Sequence, residues 1–431
     1  MSPELRHHQD LMQFFSAGHR PQEKWSLGLE FEVFVTNEHG QAVGWDGDGG
    51  VEQLLLELSR LSGWETTGEN GRVLGLNSGD GSRVTLEPGA QLEFNTSPCR
   101  DLASLQQELD QYLSYLKLAG EKFGVKFLAL GSHPRNAPDE IIRIPKRRYD
   151  ILEPWLAEAD ELGLWMMKTT CGMQVNFDHS DADDAARKLR MSLRLSPVLT
   201  ALFANSAVRA GEVSGYASWR GHIWTRTDQS RCGMIPSCLG AESSLHDYVN
   251  WALDVPMLFV ERGADLIDQR GNTFAEFMAA GEARLADWDV HLSTLFPEAR
   301  FRPQLELRSV DGGCPSTAMA LCALVKGLFY SSKALERVEQ MMEGYSTLEL
   351  QGMLEDAHRL GLAAPTTDGR SLLELATSLM DALDLDEDEQ MFLAPIHEQL
   401  RRGMSKGEEA QELMRGDWGG EIQRVIESSS I

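Results

Sequence analysis

Four short segments of the sequence carry acids or amides at every second position. They are 29–33 (LEFEV), 91–94 (QLEF), 173–178 (MQVNFD) and 304–308 (QLELR). In a strand, residues i and i+2 lie on the same face, so each segment places apolar side chains on one face and carboxylates, amides or a guanidinium on the other. Carboxylates gathered on one sheet face need a counter-charge, and a divalent cation with oxygen ligands supplies one.

A half-exposed antiparallel sheet shows the same alternation with its polar face in water, so one segment alone indicates little. All four segments, however, use Glu, Gln, Asn or Asp at the polar positions rather than Lys, Thr or Ser. Glutamate is a mediocre strand former, and aspartate and asparagine are poorer still. The set as a whole therefore favours a cation site.

A second stretch, residues 216–231, gathers cations in an otherwise acidic chain. It contains three arginines, one histidine and two tryptophans, and it has no lysine. Guanidinium groups bind carboxylate or phosphate bidentately, whereas ammonium groups do not. A surface loop with ion pairs would have the same composition. Beside the carboxylate strands, the stretch favours a pocket that holds a metal–nucleotide on one side and a carboxylate substrate on the other.

The composition excludes several classes of protein. The chain has 431 residues, of which 42% are hydrophobic and 25% charged, as in ordinary globular proteins. Its net charge of −26 argues against binding to nucleic acid or to an anionic membrane surface. No apolar stretch is long enough to span a bilayer, and the N-terminus resembles neither a signal nor a transit peptide. The six cysteines form no CxxC pair, which predicts reduced residues in a cytoplasmic protein.

The elements that must position these residues form an α+β pattern, with an antiparallel sheet interleaved with helices. Apolar spacing predicts a long helix over 101–123, and the pattern predicts helices over 181–195 and 197–203, a loop over 205–236 and a first helix capped by Ser2. From about residue 317 the composition predicts mostly helix. We expect one domain, with the catalytic sheet and helices in 25–316 and a helical part in 317–431.

Short motifs follow one another along the chain in an order that resembles glutamate–cysteine ligase of the plant and proteobacterial type. They are 27–32 (LGLEFE), 85–93 (TLEPGAQLE), 169–178 (TTCGMQVNFD), 201–206 (ALFANS), 218–225 (SWRGHIWT), 254–257 (DVPM), 305–308 (LELR), 311–313 (DGG) and 416–420 (GDWGG). Each motif alone is a weak match. The ordered set, from about residue 25 to 420, covers nearly the whole chain.

This resemblance implies a glutamine-synthetase-like fold, in which a curved antiparallel sheet forms a funnel lined by metal-binding acids. It also implies a reaction. The family joins the γ-carboxylate of glutamate to the amino group of cysteine through γ-glutamyl phosphate, the first step of glutathione biosynthesis. ATP is the co-substrate and Mg²⁺, with Mn²⁺ as the alternative, is the metal. The expected partners are these small molecules, and the expected assembly is a monomer or a homodimer.

The resemblance also implies roles for the residues of this chain that stand at the family's motif positions. The expected metal ligands are Glu30, Glu32, Glu87, Glu93 and Glu306. The expected nucleotide contacts are Gln174 and Asn176. Arg220 and Arg231 are expected to act in catalysis by engaging the glutamate carboxylates or the transferred phosphoryl group. The remaining expected substrate contacts are Arg308, Trp224 and Tyr149.

The chain departs from the family pattern in two places. Phe31 stands where related enzymes often have histidine, and Ala207 stands where they have proline. The redox disulfides of the plant enzymes do not transfer onto these cysteines. Three alternatives remain open: a ligase of the same superfamily with another acceptor amine, a guanidino-kinase-type phosphotransferase that would release no free phosphate, and a non-catalytic binding protein that should have lost some of the acids.

Overall fold

The computed structural model describes residues 3–263 and 265–431, so the predicted cap Ser2 lies outside the described residues. The strands are β1 Leu27–Thr36, β2 Glu65–Glu69, β3 Arg72–Asn77, β4 Arg83–Leu86, β5 Leu92–Asn95, β6 Lys126–Leu128, β7 Gly172–Phe177, β8 Val208–Arg209, β9 Glu212–Val213, β10 Cys232–Gly233, β11 Phe259–Arg262, β12 Asp265–Asp268, β13 Phe296–Pro297, β14 Ala299–Arg302 and β15 Gln304–Asp311.

The helices alternate with these strands and then dominate the C-terminal part. They are α1 His8–Ser16, α2 Val51–Ser62, α3 Leu102–Phe123, α4 Tyr149–Ala159, α5 Gly163–Thr169, α6 Ala182–Leu202, α7 Trp219–Thr225, α8 Leu245–Asp254, α9 Phe274–Ala279, α10 Leu285–Leu292, α11 Pro315–Phe329, α12 Ser332–Met342, α13 Thr347–Leu360, α14 Leu372–Ala382, α15 Glu387–Gln390, α16 Ala394–Arg402, α17 Lys406–Arg415 and α18 Ile422–Ser429.

One antiparallel sheet of nine strands organises the molecule. Eight strands lie in the order β14-β15-β7-β1-β5-β4-β3-β2, and β6 pairs with the far end of β1. The predicted alternation holds on the central strand β1, because Leu29, Phe31 and Val33 are buried in the core. Helices α2, α6 and α11 contact the sheet, and Phe329 of α11 stacks on Phe177 of β7 at 4.7 Å between ring centroids. The apolar face is therefore covered by helices and the polar face is left for the site.

Two local predictions were wrong. Pro197 does not divide two helices, because α6 runs through it without a break. A proline lacks the N–H that would bond the carbonyl of Leu193, but the Ser196 hydroxyl donates to that carbonyl at 2.7 Å instead. The predicted loop over 205–236 contains helix α7, which begins where the Ser218 hydroxyl accepts a hydrogen bond from the Gly221 N–H.

The C-terminal part is mostly helical, as predicted, and α18 returns to the sheet. Ile426 packs with Phe34 of β1 and Leu128 of β6, and Ser430 forms a bridge with Leu128. In residues 3–263 and 265–431, no single helix is long and apolar enough to cross a membrane, although α11 and α12, which meet at 92°, would reach that length and composition together.

Candidate active site

The polar face of the sheet lines a cavity of about 800 Å³. Strand pairing determines which side chains meet there, since residues directly opposite in an antiparallel pair share a face. Glu32 of β1 is opposite Glu93 of β5, and Glu306 of β15 is opposite Asn176 of β7. Glu87, in the turn between β4 and β5, lines the same cavity. The fold therefore brings together, in one cavity, all five glutamates that were predicted from the sequence as metal ligands.

Three of these carboxylates lie in surroundings that disfavour their charge. Burial, together with repulsion from Glu306 and Glu93, raises the pKa of Glu30 to about 8. Burial and repulsion from Glu87 raise the pKa of Glu32 and of Glu93 to about 7. Glu30 accepts a hydrogen bond from Asn176 Nδ2 at 2.8 Å, and Glu32 accepts one from Gln174 Nε2 at 2.7 Å. A cation among them would relieve this repulsion.

Glu306 differs from the other four because it is already neutralised by arginines. Its Oε2 accepts from Arg300 Nε at 2.9 Å, and its Oε1 accepts from Arg308 Nη1. Burial acts to raise the pKa of Glu306, but the two guanidiniums lower it to about 2. Within the described residues, no three His, Cys, Asp or Glu side chains converge closely enough to hold a metal ion as they stand. A metal at this site therefore requires carboxylate side chains to turn toward it.

The cavity concentrates positive charge in a strongly acidic protein. Nine Lys and Arg residues line it against six Asp and Glu, although the whole chain carries a net charge of −26. Seven of these cations were not predicted from the sequence to be site residues: Arg20, Lys24, Arg83, Lys146, Arg148, Arg300 and Arg302. The alternation rule would have found Arg300 and Arg302, because they occupy alternate positions of β14 next to the nominated segment. Such a cavity suits substrates that bring several negative charges.

Four residues that line the cavity carry a buried polar atom without a protein partner. In the described part of the chain, Arg148 Nε, Arg220 Nε, Trp224 Nε1 and Gln174 Oε1 are buried and lack a hydrogen bond. A buried polar atom without a partner costs about 1–3 kcal/mol, so a bound ligand that satisfies these atoms gains affinity. Arg220 lies tightly against β7, where a Cβ added to Gly172 would come within 2.5 Å of Arg220 Nη2.

Arg231 does not line the cavity, so the role in catalysis predicted for it stays a prediction. Its side chain is 0% exposed, and its Nε donates to Asp228 Oδ2 at 2.6 Å. Its remaining nitrogens donate to the carbonyl oxygens of Pro256 at 2.9 Å and Thr294 at 3.3 Å. The guanidinium therefore joins the segment between α7 and β10 to the chain segments before β11 and β13, and a substrate cannot reach it without displacing them.

Aromatic and apolar side chains of helices α4, α5 and α7 form another part of the cavity wall. Trp224 of α7 lies with its ring 5.8 Å from the Arg308 guanidinium and 5.9 Å from that of Arg220. Tyr149, at the start of α4, is buried and also lines the cavity. The apolar part of the wall consists of Leu152, Leu156, Met166 and Met167. This part of the wall is therefore apolar.

The sequence pattern of glutamate–cysteine ligase family 2 matches residues 26–428 of this chain. The chain belongs to glutamate–cysteine ligase family 2. As a member of that family it is an ATP-dependent glutamate–cysteine ligase, which catalyses the first step of glutathione biosynthesis. A chloroplastic glutamate–cysteine ligase of Brassica juncea is 34% identical over 435 residues, which cover 97% of this chain and 83% of the relative. The Medicago truncatula enzyme is 36% identical over 433 residues, with 97% and 84% covered.

The crystal structure of a glutamate–cysteine ligase of Francisella tularensis in complex with AMP superposes on this family member with a TM-score of 0.55. The match covers 94% of this chain and 87% of that one at 13% sequence identity. At such low identity the comparison shows the fold alone. The glutamine-synthetase-like fold predicted from the sequence is confirmed.

The plant relatives correct one prediction about this family member. They are named chloroplastic, so the predicted cytoplasmic location was wrong. That prediction depended mainly on the cysteines, all six of which are described and free. Free cysteines indicate a reducing environment, but they do not distinguish one reducing compartment from another.

Proposed function

We propose that this cavity joins the γ-carboxylate of glutamate to the amino group of cysteine, using ATP and Mg²⁺. One observation carries the proposal: four glutamates on one sheet face and a fifth in an adjoining turn lie in the same cavity as nine Lys and Arg residues. Acids that gain from a cation, beside guanidiniums that can pair with carboxylate or phosphate, are what phosphoryl transfer to a carboxylate requires.

Glu30, Glu32, Glu87, Glu93 and Glu306 would hold the metal. Their oxygen donors suit Mg²⁺, with Mn²⁺ as the alternative, and the raised pKa values of Glu30, Glu32 and Glu93 reflect carboxylates that lack a counter-charge. When bound, the metal would supply positive charge for the phosphate oxygens. Glu306 would take part only if it exchanged one of its arginines for the metal.

Arg220 and Arg308 would bind the glutamate carboxylates or the transferred phosphoryl group, and Arg300 joins them as a candidate because it shares Glu306 with Arg308. A γ-carboxylate oxygen attacks the γ-phosphorus of ATP and ADP leaves, giving γ-glutamyl phosphate. The cysteine amine then attacks the carbonyl carbon of this acyl phosphate, phosphate leaves, and the amine loses a proton as the amide forms. The acyl phosphate must be kept from water, which the apolar wall favours.

Gln174 and Asn176 would contact the nucleotide while their amides orient Glu32 and Glu30. The ring of Trp224 and the side chain of Tyr149 would enclose the amino-acid substrates. Arg231 has no substrate contact in this proposal. It would instead support the segment that carries Arg220 and Trp224.

The direct test is an assay of purified protein with glutamate, cysteine, ATP and Mg²⁺. We expect γ-glutamylcysteine, ADP and phosphate in equal amounts. A panel of other amines in place of cysteine tests the acceptor, because a ligase with another acceptor would form amides only with one of those. Formation of a phosphoguanidine without free phosphate would instead identify a guanidino kinase. No turnover with any of these substrates would contradict the proposal.

A further inference from the structure

We infer that Asp311 is a positioning residue that holds Arg220 in the cavity through the hydroxyls of Ser206 and Ser218. This inference rests on the proposed function, since it concerns a residue to which that function assigns substrate binding. Asp311 ends strand β15 and does not itself line the cavity. Its side chain is 1% exposed.

The Asp311 carboxylate accepts three hydrogen bonds from the segment around helix α7. Oδ2 accepts from the Asn205 N–H at 2.7 Å and from the Ser206 hydroxyl at 2.6 Å. Oδ1 accepts from the Ser218 hydroxyl at 2.8 Å. One buried carboxylate therefore joins the end of the catalytic sheet to both chain segments that meet at the start of α7.

Each serine hydroxyl also accepts a hydrogen bond from a backbone N–H group of helix α7. The Ser206 hydroxyl accepts from the Arg220 N–H at 3.0 Å, and the Ser218 hydroxyl accepts from the Gly221 N–H at 3.0 Å. These are two of the N–H groups that the first turn of a helix leaves without partners. Asp311 thus fixes the backbone at Arg220 by way of two hydroxyl bridges.

The direction of the hydrogen bonds explains why a carboxylate is needed here. Each hydroxyl accepts a helix N–H and therefore points its own proton at Asp311. The Asn205 N–H points at the same carboxylate. Three donors need two acceptor oxygens, which an ionised carboxylate provides. In Asp311→Asn, the NH₂ group of the side-chain amide would face one of these three donors. The substitution therefore changes few atoms but removes a hydrogen bond between β15 and the start of α7.

Close packing leaves Arg220 little freedom to compensate. A Cβ at Gly172 would approach Arg220 Nη2 to 2.5 Å, and a Cβ at Gly221 would approach His358 Cδ2 to 2.4 Å. Helix α7 is therefore packed against α13, while the guanidinium of Arg220 is packed against β7. A backbone shift at Arg220 would move its guanidinium away from the substrate, and misplacement by about 1 Å can cost about a hundredfold in rate.

The test compares Asp311→Asn and Ser206→Ala with Thr200→Val as the matched control. Thr200 also donates a buried hydrogen bond to β15, to the Ser309 carbonyl at 3.0 Å, but it has no bond to α7. Amide hydrogen exchange of the peptide that spans residues 218–226 is measured in the free proteins. We expect Asp311→Asn and Ser206→Ala to raise the exchange of this peptide about tenfold and Thr200→Val to leave it unchanged. Unchanged protection in Ser206→Ala would overturn the inference.

The second measurement is a double-mutant cycle with Arg220→Ala, read as kcat/KM for glutamate. We expect Ser206→Ala to lower kcat/KM about tenfold when Arg220 is present and less than twofold in Arg220→Ala. Equal losses in both backgrounds would mean that Ser206 acts independently of Arg220, which overturns the inference. Should the wild-type enzyme lack ligase activity, the proposed function fails, and the exchange experiment alone decides the inference.

Discussion

Single carboxylates in the cavity are chemically distinct although they share one sheet face. Burial and mutual repulsion raise the pKa of Glu30, whereas two guanidiniums hold the pKa of Glu306 far below its usual range in spite of burial. Glu30 therefore has more to gain from a cation than Glu306 does. We therefore expect a bound metal to depend more on Glu30 than on Glu306.

Replacing Glu30 by glutamine should separate activity from stability. The variant loses a charged ligand, so we expect kcat to fall at least about a hundredfold. It also replaces a buried carboxyl group, whose charged form Glu93 and Glu306 disfavour, by a neutral amide, so we expect its melting temperature to equal or exceed that of the wild type. Steady-state kinetics and thermal unfolding check the two effects. Glu65→Gln, on the exposed strand β2, is the control and should behave as wild type.

The buried position of Arg231 predicts a loss of stability on substitution rather than a loss of chemistry. Arg231→Lys keeps a charge beside Asp228 but cannot reach both carbonyl oxygens, so we expect the free energy of unfolding to fall by about 2 kcal/mol. Urea unfolding measures this change. Arg226→Lys, whose side chain is 41% exposed beside Asp160, should cost less than about 1 kcal/mol.

A severe loss of kcat in folded Arg231→Lys, with unchanged stability, would return Arg231 to the substrate site. The same experiment therefore decides between the role that the motif implied and the role that burial favours.

Among the elements, β7 and α7 supply side chains that meet in the cavity, where the guanidinium of Arg220 lies against Gly172. Strand β7 supplies the amides of Gln174 and Asn176, and α7 supplies Arg220 and Trp224. The guanidinium of Arg220 reaches β7 at Gly172, which has no side chain to exclude it. The geometry of the arginine relative to the carboxylates depends on this contact.

Gly172→Ala should damage the site without unfolding the protein. The added Cβ would lie 2.5 Å from Arg220 Nη2 and 3.1 Å from Gln174 Nε2, so both side chains must shift. We expect kcat/KM to fall about tenfold or more, with near-normal circular dichroism. Gly352→Ala is the matched control. It lies within helix α13 with nothing within 4 Å of the added Cβ, and it should be active and about 0.5–1 kcal/mol more stable. Full activity of Gly172→Ala would show that Arg220 tolerates displacement.

For the whole molecule, metal binding and folding are linked because the carboxylates are far apart in the unfolded chain. A ligand present at 100 times its Kd stabilises the folded state by about 2.7 kcal/mol, so Mg²⁺ with ATP should raise the melting temperature. Because the chain has a net charge of −26, any salt stabilises the folded state by screening the repulsion between its negative charges. Choline chloride at equal ionic strength is therefore the control. Removing the metal with a chelator should abolish both the shift and the activity.

This linkage can be traced to the predicted ligands. Glu30→Gln and Glu93→Gln should reduce the metal-dependent shift, and Glu65→Gln should retain it. A shift that survives in all three variants would place the metal elsewhere.

Much of the site followed from local sequence patterns. The alternation of acids and apolar residues predicted the polar face of β1, β5, β7 and β15, because the side-chain period of a strand is two residues wherever it occurs. The same rule applied to β14 would have added Arg300 and Arg302. The helix α7 was missed because its capping serine and two aromatic residues lie in a stretch with few apolar repeats.

The alternating carboxylates and the order of the motifs were sufficient to identify the family and the fold, since both are properties of neighbouring residues along the chain. Only the tertiary structure showed that Glu306 is paired with Arg300 and Arg308 and that Arg231 lies outside the cavity. It also joined Asp311 to Arg220 across the start of α7. Which arginine meets a substrate depends on how distant elements pack, and side-chain type does not encode that packing.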